Sequence, residues 1–403
     1  MVNSLLNLKV ICILFLFISF GSVNAIIITP ALPDIKNFYS ISIQETQYAI
    51  TLFLVGYTIT QVVFGALSNI TGRKIASYLA ITLAIIGLLI SYSSLHFISY
   101  KLFLLGRLIT GIGAGAGMVL SFTIISDLYK DQEARKMTTI ITTGFAVSPG
   151  IATLIGGILS HSHWESCIII MFIYSLILLV LVALLPETNT HRSKFKIQEF
   201  LSGYKYAFKN KKVTTYALIY GAMIAVLYIL ASLLPFIARN KFDISVLQYG
   251  IVYFLSYIGY MLGNVAVSIS SNWITKQISL FIGVIISLLS SLAIGYIFYI
   301  QMFNEVLLFA LIACVLFGIP FIFVNASVLS LGSHNDKGNA SSVLNLISMS
   351  FACAALFILP LINYPATLML PLSLTLILII NLIIIYLSHI YWSKYGIPSY
   401  KNN

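Results

Sequence analysis

Ten residues, Gly65-Ala-Leu-Ser-Asn-Ile-Thr-Gly-Arg-Lys74, make a short polar break between two long apolar runs. Gly65 permits close helix contact, while Asn69, Arg73 and Lys74 bring hydrogen bonding and positive charge to the same turn, a combination suited to a hinge-like loop. Arg107 stands well inside another apolar run. A cation there is costly and normally faces a cavity or a partner, the alternative being that it snorkels to the interface near Lys101. A third group is neutral. Tyr253, Tyr257, Tyr260 and Asn264 recur at i, i+4, i+7 and i+11 on one helical face, as Tyr216 and Tyr220 do on another, and Asn24, Tyr57, Gln61, Asn325 and Asn345 are isolated polar side chains in apolar surroundings. Such a lining suits neutral or cationic amphiphilic ligands through stacking and cation–π contact; tyrosines packed between helices with satisfied hydroxyls are the plainer alternative.

Other chemistries are missing. The eleven acids (Asp34, Glu45, Asp127, Asp131, Glu133, Glu165, Glu187, Glu199, Asp243, Glu305 and Asp336) fall in loops or at span ends, so no carboxylate is placed at mid-span to exchange protons; Glu45, Glu165 and Glu305 are interfacial residues that could be drawn inward. Cys12, Cys167, Cys314 and Cys353 are scattered through apolar runs without CxxC spacing, and the six histidines do not cluster. No metal site, cofactor or nucleophile set is expected, which argues against a membrane-embedded enzyme.

The elements that must position these residues are membrane spans. The chain is 60% hydrophobic and 8% charged, against roughly 25% charged in soluble domains. At about 20 residues per span, about twelve crossings fit, and apolar runs lie near 8–30, 46–67, 75–95, 101–125, 137–160, 165–185, 214–238, 246–270, 277–300, 305–331, 340–362 and 366–391. Lys9, the first run and Val23-Asn24-Ala25 have the look of a cleavable leader, but the run continues through Ile26-Ile27-Ile28, so an uncleaved span is expected. The basic connection at 186–213 divides six spans from six, with Phe195, Ile197, Phe200, Leu201, Tyr204 and Phe208 spaced as in an amphipathic surface helix. The net charge of +11 sits in inter-span loops, which argues against nucleic acid; 17 basic residues gather on one side and 5 on the other, placing both termini in the cytoplasm. Ser68-Asn69 and Arg73 recur as Ser271-Asn272 and Lys276 at a shift of 203, and Tyr39-Ser-Ile-Ser42 aligns with Phe242-Asp-Ile-Ser245 at the same shift. Two parallel six-span repeats with a site between them are a recurring transporter plan.

Gly65–Lys74 resembles the loop between spans two and three of the major facilitator superfamily, Gly-x-Leu-(Ser/Ala)-Asp-x-x-Gly-Arg-Arg/Lys, with Asn69 standing where that family usually has Asp. Gly106-Arg107 and Gly111 resemble its fourth-span Arg-x-x-x-Gly pattern, which implies a role for Arg107 in coupling or substrate binding. Gly111-Ile-Gly-Ala-Gly-Ala116 also fits a dinucleotide fingerprint on paper, but no strand precedes it and close helix packing explains it better. Gly144-Phe-Ala-Val-Ser-Pro149-Gly150 with Gly156-Gly157 resembles the fifth-span pattern of drug antiporters, in which Pro149 would kink the helix. Pro30-Ala-Leu-Pro33, Gln61, Ser126-Asp-Leu-Tyr129, Pro186-Glu-Thr188 and Lys337-Gly-Asn-Ala-Ser-Ser342 resemble the bicyclomycin-resistance (Bcr/CflA) drug efflux family. The commonly acidic position before its first proline is Ile26 here.

The expected fold class is therefore an all-α membrane protein of twelve transmembrane helices in two pseudo-symmetric six-helix bundles, the major facilitator fold, with residues 1–185 and 214–403 as bundles and 186–213 as linker. The resemblance implies a monomer in a bacterial inner membrane that exports drugs or similar small organic compounds against a proton gradient. A facilitator or uptake carrier without proton coupling is the second reading.

Overall fold

The computed structural model describes residues 2–189, 206–301, 304–333 and 337–395. Its main elements are α1 (Val2–Ile26), a 3₁₀ turn (Thr29–Ala31), α2 (Leu32–Phe38), α3 (Ile43–Thr71), α4 (Arg73–His96), α5 (Tyr100–Ala114), α6 (Ala116–Leu128), α7 (Asp131–Ser160) and α8 (Ser166–Ala183). After the linker follow α9 (Lys211–Phe242), α10 (Val246–Ser270), α11 (Lys276–Tyr299), α12 (Glu305–Leu331), α13 (Lys337–Ile358), a second 3₁₀ turn (Leu359–Leu361) and α14 (Ala366–Tyr395). Among the described residues there is no strand, and twelve stretches are long and apolar enough to cross a membrane. The surface helix expected over Phe195–Tyr204 lies outside the described residues.

Sequence and structure part at the first span. The apolar run should end near residue 30, but the span continues as Leu8–Phe38. Pro30 and Pro33 each fall in the first turn of the element that follows, where proline's missing N–H has no helical partner to lose, so they restart the helix rather than stop it. The fourth span is two helices, α5 and α6, meeting at Gly115. Span starts carry side-chain caps: Ser42 and Glu45 form a reciprocal capping box on α3, and Ser99, Thr275 and Asn304 accept from backbone amides of α5, α11 and α12.

The duplication is visible in the backbone. Helix α11 begins and ends 203 residues after α4, and α10 begins 203 residues after α3. Among the described residues, the four non-glycine positions with positive φ fall into two pairs at that spacing, Ser40 with Asp243 (φ 52° and 50°) and Ile98 with Gln301 (φ 46° and 54°). Left-handed backbone is uncommon away from glycine, so matching pairs mark the same turn built twice. The chain divides into two compact units. One comprises Met1–Ser202, Ala231–Phe254 and Cys353–Asn363, and the other Gly203–Leu230, Leu255–Ala352 and Tyr364–Asn403.

Lipid gives helices no hydrophobic reason to associate, so close backbone approach has to hold them. A Cβ at Gly111 (α5) would strike the Phe53 carbonyl of α3, one at Gly87 (α4) the Thr110 amide, and one at Gly113 the backbone of Ala80 and Ala84. In the second unit, Gly259 meets the Ala313 carbonyl and Gly263 that of Phe317. Gly65 differs: an added Cβ would lie 3.6 Å from the Val119 side chain, an ordinary contact. Gly111→Val should therefore cost at least the roughly 1–3 kcal/mol of an overpacked core, read as a lower melting temperature and loss of the monodisperse peak in detergent. Gly65→Ala should leave both nearly unchanged.

Candidate functional site

Two constellations occupy the first compact unit. The first is at the α3–α4 turn. Gly72 has φ +99°, a conformation that side-chain-bearing residues rarely adopt, and a Cβ there would also press into the Glu187 carboxylate. That carboxylate sits over the start of α4: Oε1 accepts from the Arg73 amide at 2.9 Å and Oε2 from the Lys74 amide at 3.2 Å. It is an anion on a helix N-terminus, where free N–H groups and the helix dipole favour negative charge. Burial alone would raise the Glu187 carboxyl, but N–H groups of Asn189, Arg73, Lys74 and Thr188 outweigh it and hold its pKa below the usual value.

The Arg73 side chain turns back into the same cluster. Nε pairs with Asp127 at the end of α6 at 2.9 Å, while one terminal nitrogen donates to Ser68 Oγ at 2.8 Å and to Asn69 Oδ1 at 2.6 Å. Asn69 thus still accepts from Arg73, as a neutral amide. Thr188 donates to the same Asp127 oxygen, Oδ2, at 2.8 Å. Asn189 donates to the carbonyls of Ser68 and Asn69, and Lys74 Nζ to that of Ala183. Residues 183–189 therefore form a strap across the turn, and Asn69, Gly72, Arg73 and Lys74, expected from the sequence to form a gate, stand together beneath it. Sequence reasoning placed Pro186-Glu-Thr188 only as a family string; what it missed was the strap's role, because residues more than a hundred positions apart share no local signal.

The second constellation is buried among α1, α3 and α5. Arg107 is 3% exposed and does not snorkel. Its Nε donates to the Ala49 carbonyl at 3.1 Å, Nη1 donates to the Asn24 carbonyl at 3.0 Å, and the guanidinium lies 4.5 Å from the Phe53 ring centre. Asn24, Tyr57 and Gln61 are buried nearby, Gln61 donating to the carbonyls of Tyr57 and Gly115 and Tyr57 to the Met118 sulfur. The Oδ1 of Asn24, the Oε1 of Gln61 and both amide atoms of Gln47 are buried without a hydrogen-bond partner. Such atoms cost roughly 1–3 kcal/mol each unless something supplies a bond, which makes them ready acceptors and donors for a polar ligand. Gln47 was not singled out from the sequence; a lone amide one turn into an apolar span was the available signal.

The remaining predicted residues are not brought into this cluster. Pro149 lies inside α7, where the Thr153 hydroxyl donates to its carbonyl and the neighbouring Ser148 hydroxyl bonds that of Ser22 on α1. Tyr253 is buried in the first unit, stacked on Tyr249 with ring centres 5.8 Å apart. In the second unit Tyr257 stacks on Tyr260 at 5.1 Å, Asn264 donates to the Tyr260 carbonyl, and Tyr220 stacks on Phe323 at 4.3 Å.

The lowered pKa of Glu187 fixes a pH dependence. A group that titrates lower in the folded state gives its full stabilisation above the ordinary glutamate value of about 4.3, and loses it as pH falls through the lowered value. The melting temperature should be higher in the wild type than in Glu187→Gln at pH 7, and the gap should close on acidification below about pH 4; a gap constant from pH 7 to 3 would contradict the carboxylate cap.

Comparison with known proteins places this geometry. A relative in Rickettsia felis, an uncharacterized transporter, is 26% identical over 231 residues, covering 57% of this chain and 56% of the relative. The bicyclomycin resistance protein homolog of Haemophilus influenzae is 24% identical, covering 61% and 62%. The likeness thus spans little more than half the length of these relatives. The crystal structure of a D-xylose–proton symporter superposes with a TM-score of 0.76 at 14% identity, over 93% of this chain and 97% of that one, a likeness of fold. The family described as Major Facilitator Superfamily matches residues 11–360. With twelve spans in which Gly72, Arg73 and Asp127 build the turn and Arg107 lies buried, the chain belongs to the major facilitator superfamily.

Proposed function

We propose that this protein is a bacterial inner-membrane transporter that exports small organic compounds, drugs among them, by alternating access between two six-span halves, driven by the proton gradient. The observation that carries the reading is Arg107: a buried cation held by carbonyls of α1 and α3, in a unit where the side-chain oxygens of Asn24 and Gln61 are buried without partners, is an expensive arrangement that membrane proteins keep for ligands and coupling ions. The strapped turn around Arg73 and Asp127 serves as the lock at one end. The count of 17 basic residues against 5 in the sequence supports a cytoplasmic location for that end and for both termini. The relatives support drug export through the bicyclomycin-resistance likeness. The transported compound is the partner; neither cofactor nor nucleic acid enters the mechanism, and the working unit is the monomer.

A facilitator without proton coupling is the second reading. It is favoured by one observation: among the described residues every carboxylate lies at a span end or in a loop. Everted vesicles separate the two. Under proton-driven export, a fluorescent cationic drug accumulates inside everted vesicles and an uncoupler abolishes the accumulation; accumulation that survives the uncoupler sinks the coupled reading.

Arg107→Ala should reduce export at least about tenfold while protein levels hold, and Arg107→Lys should not restore it, because an ammonium lacks the planar fork that reaches two carbonyls on different helices. Normal export by Arg107→Ala would place the residue outside the mechanism.

A further inference from the structure

At the opposite end of the first unit from the Arg73–Asp127 pair lies a cleft of about 330 Å³ lined by Asp34, Phe38, Ser160, His161, Ser162, His163, Trp164 and Glu165. It is made by α2, the end of α7 and the α7–α8 turn. The buried Trp164 ring forms its floor, with Phe38 5.6 Å away edge-on and Phe103 at 5.9 Å behind. Two carboxylates and an aromatic floor in one cavity are the chemistry that recognises an organic cation: charge from Asp34 and Glu165, dispersion and quadrupole attraction from the rings.

Further details favour that ligand over others. Glu165 Oε2 is buried and has no hydrogen-bond partner, so a negative oxygen there lacks its counter-charge. No three His, Cys, Asp or Glu residues among the described ones stand close enough to share a metal ion. The adjacent Tyr39 does not compete as an acid: burial pushes its hydroxyl up to about 12 against the hydrogen bond to Ser94, with the Glu165 charge adding to the rise, so it stays neutral. The charge facing Asp34 from another element is Arg239, in the last turn of α9.

We propose that this cleft binds organic cations of the alkylammonium class, drawn by the Asp34 and Glu165 carboxylates and seated against the Trp164 and Phe38 rings. On the export reading this end of the unit faces the exit side; the binding itself does not rest on that reading.

Trp164 supplies the test. The chain has three tryptophans, and Trp273→Phe with Trp392→Phe leaves Trp164 as the sole reporter. In the purified full-length protein, benzyltrimethylammonium should change Trp164 emission saturably at pH 8, whereas benzenesulfonate, with the same ring and the opposite charge, should not. Asp34→Asn combined with Glu165→Gln should weaken binding at least about tenfold. If that double variant does not fold, the single Asp34→Asn and Glu165→Gln variants take its place. A flat titration, an equal response to benzenesulfonate, or undiminished affinity without the carboxylates would overturn the proposal. Export by everted vesicles persisting alongside such a result would remove this site and leave the export reading standing.

Discussion

The fold depends on backbone meeting backbone. In lipid, apolar side chains gain nothing by leaving their surroundings, so helices must be held by contacts that tails cannot imitate: dense packing at small residues and hydrogen bonds to carbonyls. Gly56 and Gly111 bring α3 and α5 into register, and Gly87, Gly106 and Gly113 bring α4 onto α5. That register sets Arg107 within reach of carbonyls on α1 and α3 at once. A helix standing further out would leave the guanidinium reaching one neighbour, and a half-bonded buried cation is among the costliest things a membrane protein can hold.

The same constraint separates two kinds of polar site. At the α3–α4 turn, water is close and charge is handled in pairs: Arg73 with Asp127, Glu187 with the start of α4. The Arg73–Asp127 pair is largely buried, with 10% and 23% of the two side chains exposed, so parting its partners would leave a poorly solvated charge on each side. Deeper, charge is borne by carbonyls and a ring face, and the polar atoms around it are amides and hydroxyls. The cleft at Asp34 and Glu165 belongs to the first kind by position, yet one carboxylate oxygen there is buried as in the second.

Much of this was legible from one sequence. Eleven of the twelve spans follow from apolar runs, because a span of about 20 residues leaves little latitude once polar punctuation is placed. The first is the exception, since Pro30 reads as a stop and acts as a start. The α3–α4 turn was legible as a loop with charge. Its strap was not, because Glu187, Thr188 and Asn189 look like the outset of a linker and gain meaning only when folded back over Gly72. Arg107 was legible as an anomaly; Gln47 was the same anomaly in weaker form. The tyrosine stripe on α10 shows the limit of periodicity. Spacing put Tyr253, Tyr257 and Tyr260 on one face, but spacing does not distinguish a ligand wall from rings stacked on each other, as Tyr257 and Tyr260 are.

The matched left-handed pairs show that the two halves inherit one backbone, yet they do not inherit one chemistry. Where the first half has Gly72 beneath a glutamate, the second has Thr275 capping α11 with its own hydroxyl; Lys276 stands for Arg73, and the position corresponding to Asp127 is Ser330. Among the described residues, one turn is thus fastened by full charges and its twin by a hydroxyl cap. Acid can discharge the Glu187 carboxylate over the first turn, whereas the Thr275 hydroxyl has no charge to lose. A duplicated scaffold has in this way come to close one of its matching turns with a group that a proton can switch off and the other with a group that it cannot.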